Sequence, residues 1–473
     1  MNGNMPLVQA LLEYANEGMI PFHMPGHKMG KGFEKDFLNK IVMMDVTEIP
    51  GLDNLHHATG VIYEAQRLAA KAFGADESFF LVNGSTAGIH GMLLSVCRPG
   101  DKLIVPRNCH KSVWNAMVIG DIVPVYIEPE FDEEHLFATQ IRFEKVKEAL
   151  ESHPDAKGII VVHPNYYGMC ADLEKIVIFM HQGGKAVLVD EAHGAHFIFH
   201  PDLPPSSGEL GADIWVQSAH KTLPAFTQTA YLHCKGQAVD RDHVSRILDM
   251  LQSTSPSYPF MASLDWARNY MVQNGRERLD DLIAWVQETR EKLEKHLGIH
   301  TLEGYKRTEV SYMDPTRLVI DVGSLGITGY QTEAILRKHK IQVEMSDWYH
   351  VVLICTVADT KDDFEKLYRA FERLKEEAPG KRQMKKFVPS GKLPKQILSP
   401  RKAFYSAVEN IPLREAVGRI SGGLIGAYPP GIPRFCPGEL IDSEGVDELL
   451  EIADSGGSLF GTVDGQRIPV LKD

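Results

Sequence analysis

Short apolar runs recur along the middle of the chain at FFLV (79–82), KLIVP (102–106), PVYI (124–127), GIIVV (158–162), AVLVD (186–190), IWVQ (214–217) and TAYL (229–232). Helical spacing of apolar residues lies between most of them. Continuous apolar strands alternating with helices predict a mainly parallel sheet covered on both faces, an α/β fold. Ligands of such sheets gather at the carboxyl ends of the strands.

Ahead of this region, residues 5–17 carry apolar positions at helical spacing. They predict a short arm whose apolar face a partner subunit would cover. PFHMPGHKMGKGF (21–33) reads as a surface turn, and its histidines lack a third ligand at useful spacing, so no metal is expected. Residues 45–60 are polar and turn-rich, and a helix follows over 61–73. A long helical stretch over 261–296 leads to an α+β pattern: RLVIDV (317–322), a helix over 330–339, QVEMSD (342–347), VVLICTV (351–357) and a helix over 361–377. The basic, Pro-rich residues 379–400 read as a linker. The division expected is an arm over 1–20, a large domain over 21–285, a small α+β domain over 286–378, the linker, and a C-terminal domain over 401–473.

At 473 residues the chain is too long for one core. A composition of 44% hydrophobic and 24% charged residues is that of a folded globular protein. The net charge of −13 argues against a nucleic-acid or anionic-membrane surface and suits a cationic substrate. The 6 cysteines include no CxxC pair, so they read as reduced thiols of a cytoplasmic protein. No apolar run reaches the length of a membrane span, and the N-terminus lacks a basic stretch followed by an apolar one.

The chemistry concentrates at strand ends. WVQSAHKTLPAFTQTAYLH (215–233) reads as strand, short polar loop, strand, with Ser218, His220 and Lys221 in the loop. A lysine there is either solvated or desolvated at the edge of the core; desolvation would make its amine a nucleophile toward an aldehyde. Asp190 ends AVLVD, where a carboxylate needs a cationic partner: a structural cation or a protonated pyridine nitrogen. Asn83-Gly84-Ser85-Thr86-Ala87-Gly88 follows one strand and opens a helix, which fits a plain N-cap or a phosphate cradle. Ala192 is small enough to lie under a flat ring, and His193 beside it belongs to the core or to the site. His110, after KLIVP, is placed to stack on the other face of such a ring. His163 and Asn165 of HPNYYG could reach a ring hydroxyl. Lysine, buried carboxylate and phosphate cradle together are what pyridoxal 5'-phosphate (PLP) requires.

With these residues in view, the chain resembles the bacterial PLP-dependent ornithine/lysine/arginine decarboxylases of fold type I. The resemblance rests on FHMPGHKMG, DVTEIPGLDNLHH, NGSTAG, PRNCHKS, DEAHGAHF, QSAHKTLPAFTQ, LQSTSPSYP and YPPGIPRFCPGE, spread from Phe22 to Glu439. It implies an aspartate-aminotransferase-like large domain and smaller α+β domains. Lys221 would be the Schiff-base lysine, Asp190 the partner of the pyridine nitrogen, Ala192 the residue beneath the ring and His110 the one above. Gly84, Ser85, Thr86, Ser218 and His220 would hold the phosphate, with Ser255 reaching the neighbouring subunit's phosphate in a homodimer. The chain resembles the short Gram-positive form, without the N-terminal wing domain of the long enteric enzymes. It also reads HPNYYG where the family commonly reads NPTYYG.

The activity so implied is decarboxylation of a basic amino acid, arginine to agmatine first, then lysine to cadaverine or ornithine to putrescine, in polyamine biosynthesis. The constellation itself also serves amino transfer, elimination or aldol cleavage. Glu344 and Asp347, or Asp45, Glu48 and Asp53, are the candidate partners of a distal substrate cation.

Overall fold

The computed structural model describes residues 5–302, 304–378, 392–428, 432–454 and 457–472. Its centre is a seven-stranded sheet of β1 (Glu77–Leu81), β2 (Lys102–Pro106), β3 (Val123–Ile127), β4 (Gly158–Val162), β5 (Ala186–Asp190), β6 (Ile214–Gln217) and β7 (Ala230–Cys234). The strands lie in the order β1-β7-β6-β5-β4-β2-β3, and all run parallel except β7, which is antiparallel to both its neighbours. The apolar runs read from the sequence are these strands, and the mainly parallel α/β sheet is as expected.

The reason is visible strand by strand. Ile160, Leu188, Ile214 and Val216 pack into one core. Their sequence neighbours Ile159, Val161, Val187, Val189 and Trp215 pack into another, on the opposite face. Side chains alternate across a strand, so burying both faces demands apolar residues at every position.

Helices α1 (Pro6–Asn16), α2 (Val61–Ala72), α3 (Gly84–Val96), α4 (Lys111–Gly120) and α5 (Tyr258–Lys292) frame the site and the large domain. Gly88 lets α3 lie directly on the sheet: a Cβ there would sit 2.5 Å from Val216 Cγ2. The turn that opens α3 is thereby drawn close to the end of β6, where Lys221 follows.

Helix α5 runs unbroken past residue 285 into the second unit. There β8 (His300–Thr301), β9 (Arg317–Asp321), β10 (Met345–Ser346) and β11 (His350–Ile354) form an antiparallel sheet in the order β8-β9-β11-β10. The last unit has its own core of Ile425, Phe435, Leu449, Ile468 and Val470. Most of the expected linker, residues 379–391, and Pro429 to Gly431 of the Pro/Gly-dense segment lie outside the described residues.

The segment 21–33 is not the surface turn expected. Lys28 is fully buried, and its ammonium donates to the carbonyls of Pro21 (2.8 Å), His23 (3.2 Å) and Ile354 (2.7 Å). Asp359 stands 3.7 Å away as its counter-charge. A buried ammonium is tolerable only when so satisfied. Gly26 N–H donates to His220 O at 2.6 Å, so the segment braces the turn that carries Lys221.

Candidate active site

A cavity of about 640 Å³ opens at the carboxyl ends of the sheet strands, within the usual range for small-molecule sites. Gly84, Ser85, Thr86, His110, Asp190, Ala192, His193, His220 and Lys221 all line it. Residues up to 137 positions apart (Gly84 to Lys221) meet there because each ends a strand of one sheet.

The expected polar loop after β6 is a single helical turn, Ala219–Thr222. It presents Lys221 at the cavity edge, half-buried. Burial depresses the amine's pKa; Asp190 and Glu344 pull it up, and Arg317 adds to the depression. Its Nζ lies 3.0 Å from Nε2 of His193. Asp190, 5% exposed, takes one backbone N–H, from Ala192 at 3.2 Å. Among the described residues it makes no ion pair, so a buried carboxylate faces the cavity without a counter-charge.

Opposite, Gly84 has φ +74°, with only Gln228 O, at 3.9 Å, near where a Cβ would be. The Asn83 side chain does not cap α3. The Gly84 N–H donates to Gln228 O at 2.9 Å, but Ser85 and Thr86 line the cavity, and the helix dipole favours an anion there. Ser218 lies behind Lys221; its hydroxyl is buried and without a hydrogen-bond partner among the described residues. Such an orphan suits a ligand oxygen.

The histidines are neutral donors and acceptors. Burial lowers the pKa of His110, and lowers that of His220 to about 4. His220 Nδ1 lies 3.0 Å from the Thr229 carbonyl, which only accepts, so that nitrogen carries the proton. His110 Nδ1 takes the Ser112 N–H at 3.3 Å, which puts its proton on Nε2. An unpaired carboxylate, a depressed lysine, a helix start at the cavity and a lining that includes both His110 and Ala192 fit PLP. Among the described residues no three His, Cys, Asp or Glu side chains converge as a metal ion would need.

Other sequence candidates lie differently. Asn165 lines the cavity, but its Oδ1 accepts the N–H groups of Tyr167 and Met169, both at 3.0 Å, and its Nδ2 donates to Thr139 O. His163 is fully buried outside the lining, with Nε2 3.3 Å from Pro205 O. Ser255 is exposed and does not line this chain's cavity; its neighbour Ser253 reaches Asn83 Oδ1 at 3.4 Å. Glu48 is exposed, away from the cavity. Asp53 is taken up by the N–H groups of Asn54, Thr59, Gly60, Ile62 and Tyr63. Asp347 is buried against His350, at 3.1 Å, and takes the Tyr167 hydroxyl at 2.8 Å. Glu344 accepts the Met24 N–H at 2.9 Å and the Tyr166 hydroxyl at 2.5 Å, close enough to act on Lys221.

Three contributors escaped the sequence reading: Arg317, behind His193, and Ile432 and Phe460, which bring the C-terminal unit into the cavity wall. An arginine opening an apolar strand, in DPTRLVIDV, was the available signal for the first.

Residues 5–303 match the family model "Orn/Lys/Arg decarboxylase, major domain", and residues 381–460 match "Orn/Lys/Arg decarboxylase, C-terminal domain". An arginine decarboxylase of Bacillus subtilis is 40% identical over 99% of this chain and 98% of its own length. A solved lysine decarboxylase of Francisella novicida shares the fold with a TM-score of 0.79 at 23% identity, over 99% of this chain and 81% of that one. A structure of an SPT variant with PLP matches 76% of this chain and 88% of its own, with a TM-score of 0.57 at 14% identity. The fold is therefore that of the fold type I PLP-dependent enzymes, and the chain belongs to the Orn/Lys/Arg decarboxylase family.

Proposed function

We propose that the protein decarboxylates L-arginine to agmatine, with lysine and ornithine as the alternative substrates, and that PLP is its cofactor. The observation that carries the choice of arginine is the end-to-end similarity, at 40% identity, to an arginine decarboxylase.

When bound, PLP supplies an electron-accepting ring for the electron pair of the breaking bond between Cα and the carboxylate. Asp190 would hold a proton on the ring nitrogen and so keep the ring electron-poor. His110 and Ala192 would hold the ring. Gly84, Ser85, Thr86, Ser218 and His220 would hold the phosphate. Lys221, held as a free amine, would be the residue that carries the cofactor, and once free its Nζ would hold the proton that Cα receives after carbon dioxide leaves. Apolar walls from Ile432 and Phe460 exclude water, which strengthens each charge contact. Glu344 is the best-placed carboxylate for the distal cation.

A homodimer is part of this reading. Leu7, Val8, Leu11 and Leu12 on α1 are exposed, as are Val42, Met43, Ile49, Val61 and Tyr63. So much apolar surface suits burial against a second copy, which would bring Ser255 to the neighbouring phosphate. No helix among the described residues is long and apolar enough to cross a membrane.

The test is chromatography of the amines formed from arginine, lysine and ornithine by the PLP-loaded enzyme. Agmatine should dominate at equal substrate concentration. Keto-acid consumption without carbon dioxide release would point instead to another fold type I reaction.

A further inference from the structure

We propose that Arg317 is a positioning residue that fixes the tautomer of His193 and thereby holds Lys221 as a neutral amine. The inference deepens the reading of Lys221 as the nucleophile and rests on it.

The argument is one of donors and acceptors. A guanidinium has N–H donors and no acceptor. A guanidinium nitrogen of Arg317 lies 3.3 Å from His193 Nδ1, so Nδ1 is the acceptor of that contact. The ring proton of a neutral His193 then sits on Nε2. That nitrogen faces Lys221 Nζ at 3.0 Å. Its N–H can only be satisfied by a lone pair on the amine, which an ammonium does not have. The chain of contacts therefore selects the free base of Lys221, the form that attacks an aldehyde.

The surroundings hold this arrangement in place. Arg317 and His193 are 2% and 6% exposed, so the contact between them is shielded from water. The Gly168 backbone lies against the arginine stem, where a Cβ would be 2.8 Å from Arg317 Cβ. The Tyr166 ring stands edge-on to His193 at 4.8 Å between centroids. The charged and titratable groups acting on Lys221 are Asp190, Glu344, Arg317, His193, His110 and His220; those on His193 are Lys221, Arg317, His110 and His220. A doubly protonated His193 would set donor against donor toward both Arg317 and an ammonium, and burial drives its pKa well below the ordinary value. Arg317 begins β9, so the second unit sets the protonation of a lysine carried by the first.

The experiment is competitive labelling of the cofactor-free enzyme with acetic anhydride across pH 6 to 11 (approximate range), with Lys221 acetylation read by peptide mass spectrometry. Wild type should titrate below the usual lysine value of about 10.4. R317M should raise the midpoint by about one unit, cutting labelling near neutral pH roughly tenfold, while R317K should restore it. H193F should also raise it, and R317M should add nothing in the H193F background. An equal R317M shift with and without His193 would overturn the proposal, since the arginine would then act by its field alone. An effect confined to KM, with the midpoint unmoved, would also overturn it. Should R317M fail to fold, an unchanged midpoint in H193F decides against it. Whether Lys221 binds PLP at all is read separately, by borohydride trapping of the cofactor on wild type.

Discussion

Arg107 and Glu439, 332 residues apart, form a two-pronged ion pair with N···O distances of 2.8 and 3.0 Å, both side chains buried. Arg107 follows β2 and leads to His110, and Glu439 closes the YPPGIPRFCPGE segment, so two motifs that seem unrelated in sequence lock the C-terminal unit onto the sheet. Burial and Arg107 act oppositely on the Glu439 carboxyl, and burial prevails, leaving its pKa raised.

E439A leaves a buried guanidinium without its counter-charge. Stability should fall by about 3–5 kcal/mol, read from the denaturant midpoint. Because Ile432 and Phe460 ride on the same unit, KM should rise in the fraction that stays folded.

Lys221→Ala removes the cavity-lining amine on which Asp190 acts. Turnover should drop to background, and the long-wavelength absorbance that follows PLP addition should not develop. Retention of either one in a spectrophotometric titration would remove Lys221 from its role.

Asp190→Ala should still take up some PLP, because the phosphate contacts are separate from it. Activity should nevertheless fall by at least about two orders of magnitude, the scale seen when a group that stabilises developing charge is lost. Near-normal kcat in this variant would show that the ring nitrogen needs no carboxylate partner.

Glu344→Gln keeps an acceptor for Tyr166 and Met24 but loses the charge. If Glu344 receives the distal cation, KM for arginine should rise about tenfold or more, the worth of one charge-assisted hydrogen bond. Uncharged analogues of similar length should be little affected.

Asp53 is a non-local cap for α2. Burial would raise its pKa, but the backbone N–H groups of Thr59, Asn54, Gly60 and Tyr63 prevail and hold it at about 2. The unfolded chain, with an ordinary value of about 3.9, binds that proton first. The stabilisation is complete above about pH 4 and is lost as pH falls through about 2. Asp53→Ala should cost about 1–2 kcal/mol near neutral pH and flatten this part of the pH–stability curve, measured by thermal unfolding.

Some expectations from the sequence changed in the folded chain for a common reason. By sequence, Asp53 and Asp347 are candidates to meet a substrate cation. One is used up by five backbone N–H groups and the other by His350, a commitment that turn geometry decides and composition does not reveal. The Gly- and Pro-rich segment 21–33 looked solvated, yet Lys28 finds three carbonyl acceptors inside the protein. Hydrophilic composition marks a surface only when no interior partner exists, and those partners lie as far away as Ile354.

What the sequence by itself determined is what local periodicity and motif chemistry encode. Unbroken apolar runs specified strands buried on both faces, and Lys221, Asp190 and the Gly84 turn each fell at a strand end. Parallel strands bring such ends to one edge whatever the details of packing. What only the tertiary structure decided are the contacts between units: Arg317 on His193, Glu439 on Arg107, Glu344 on Tyr166. They depend on how β9 and the C-terminal unit dock against the sheet. That docking is set by side-chain packing over hundreds of residues and leaves no periodic trace in the chain.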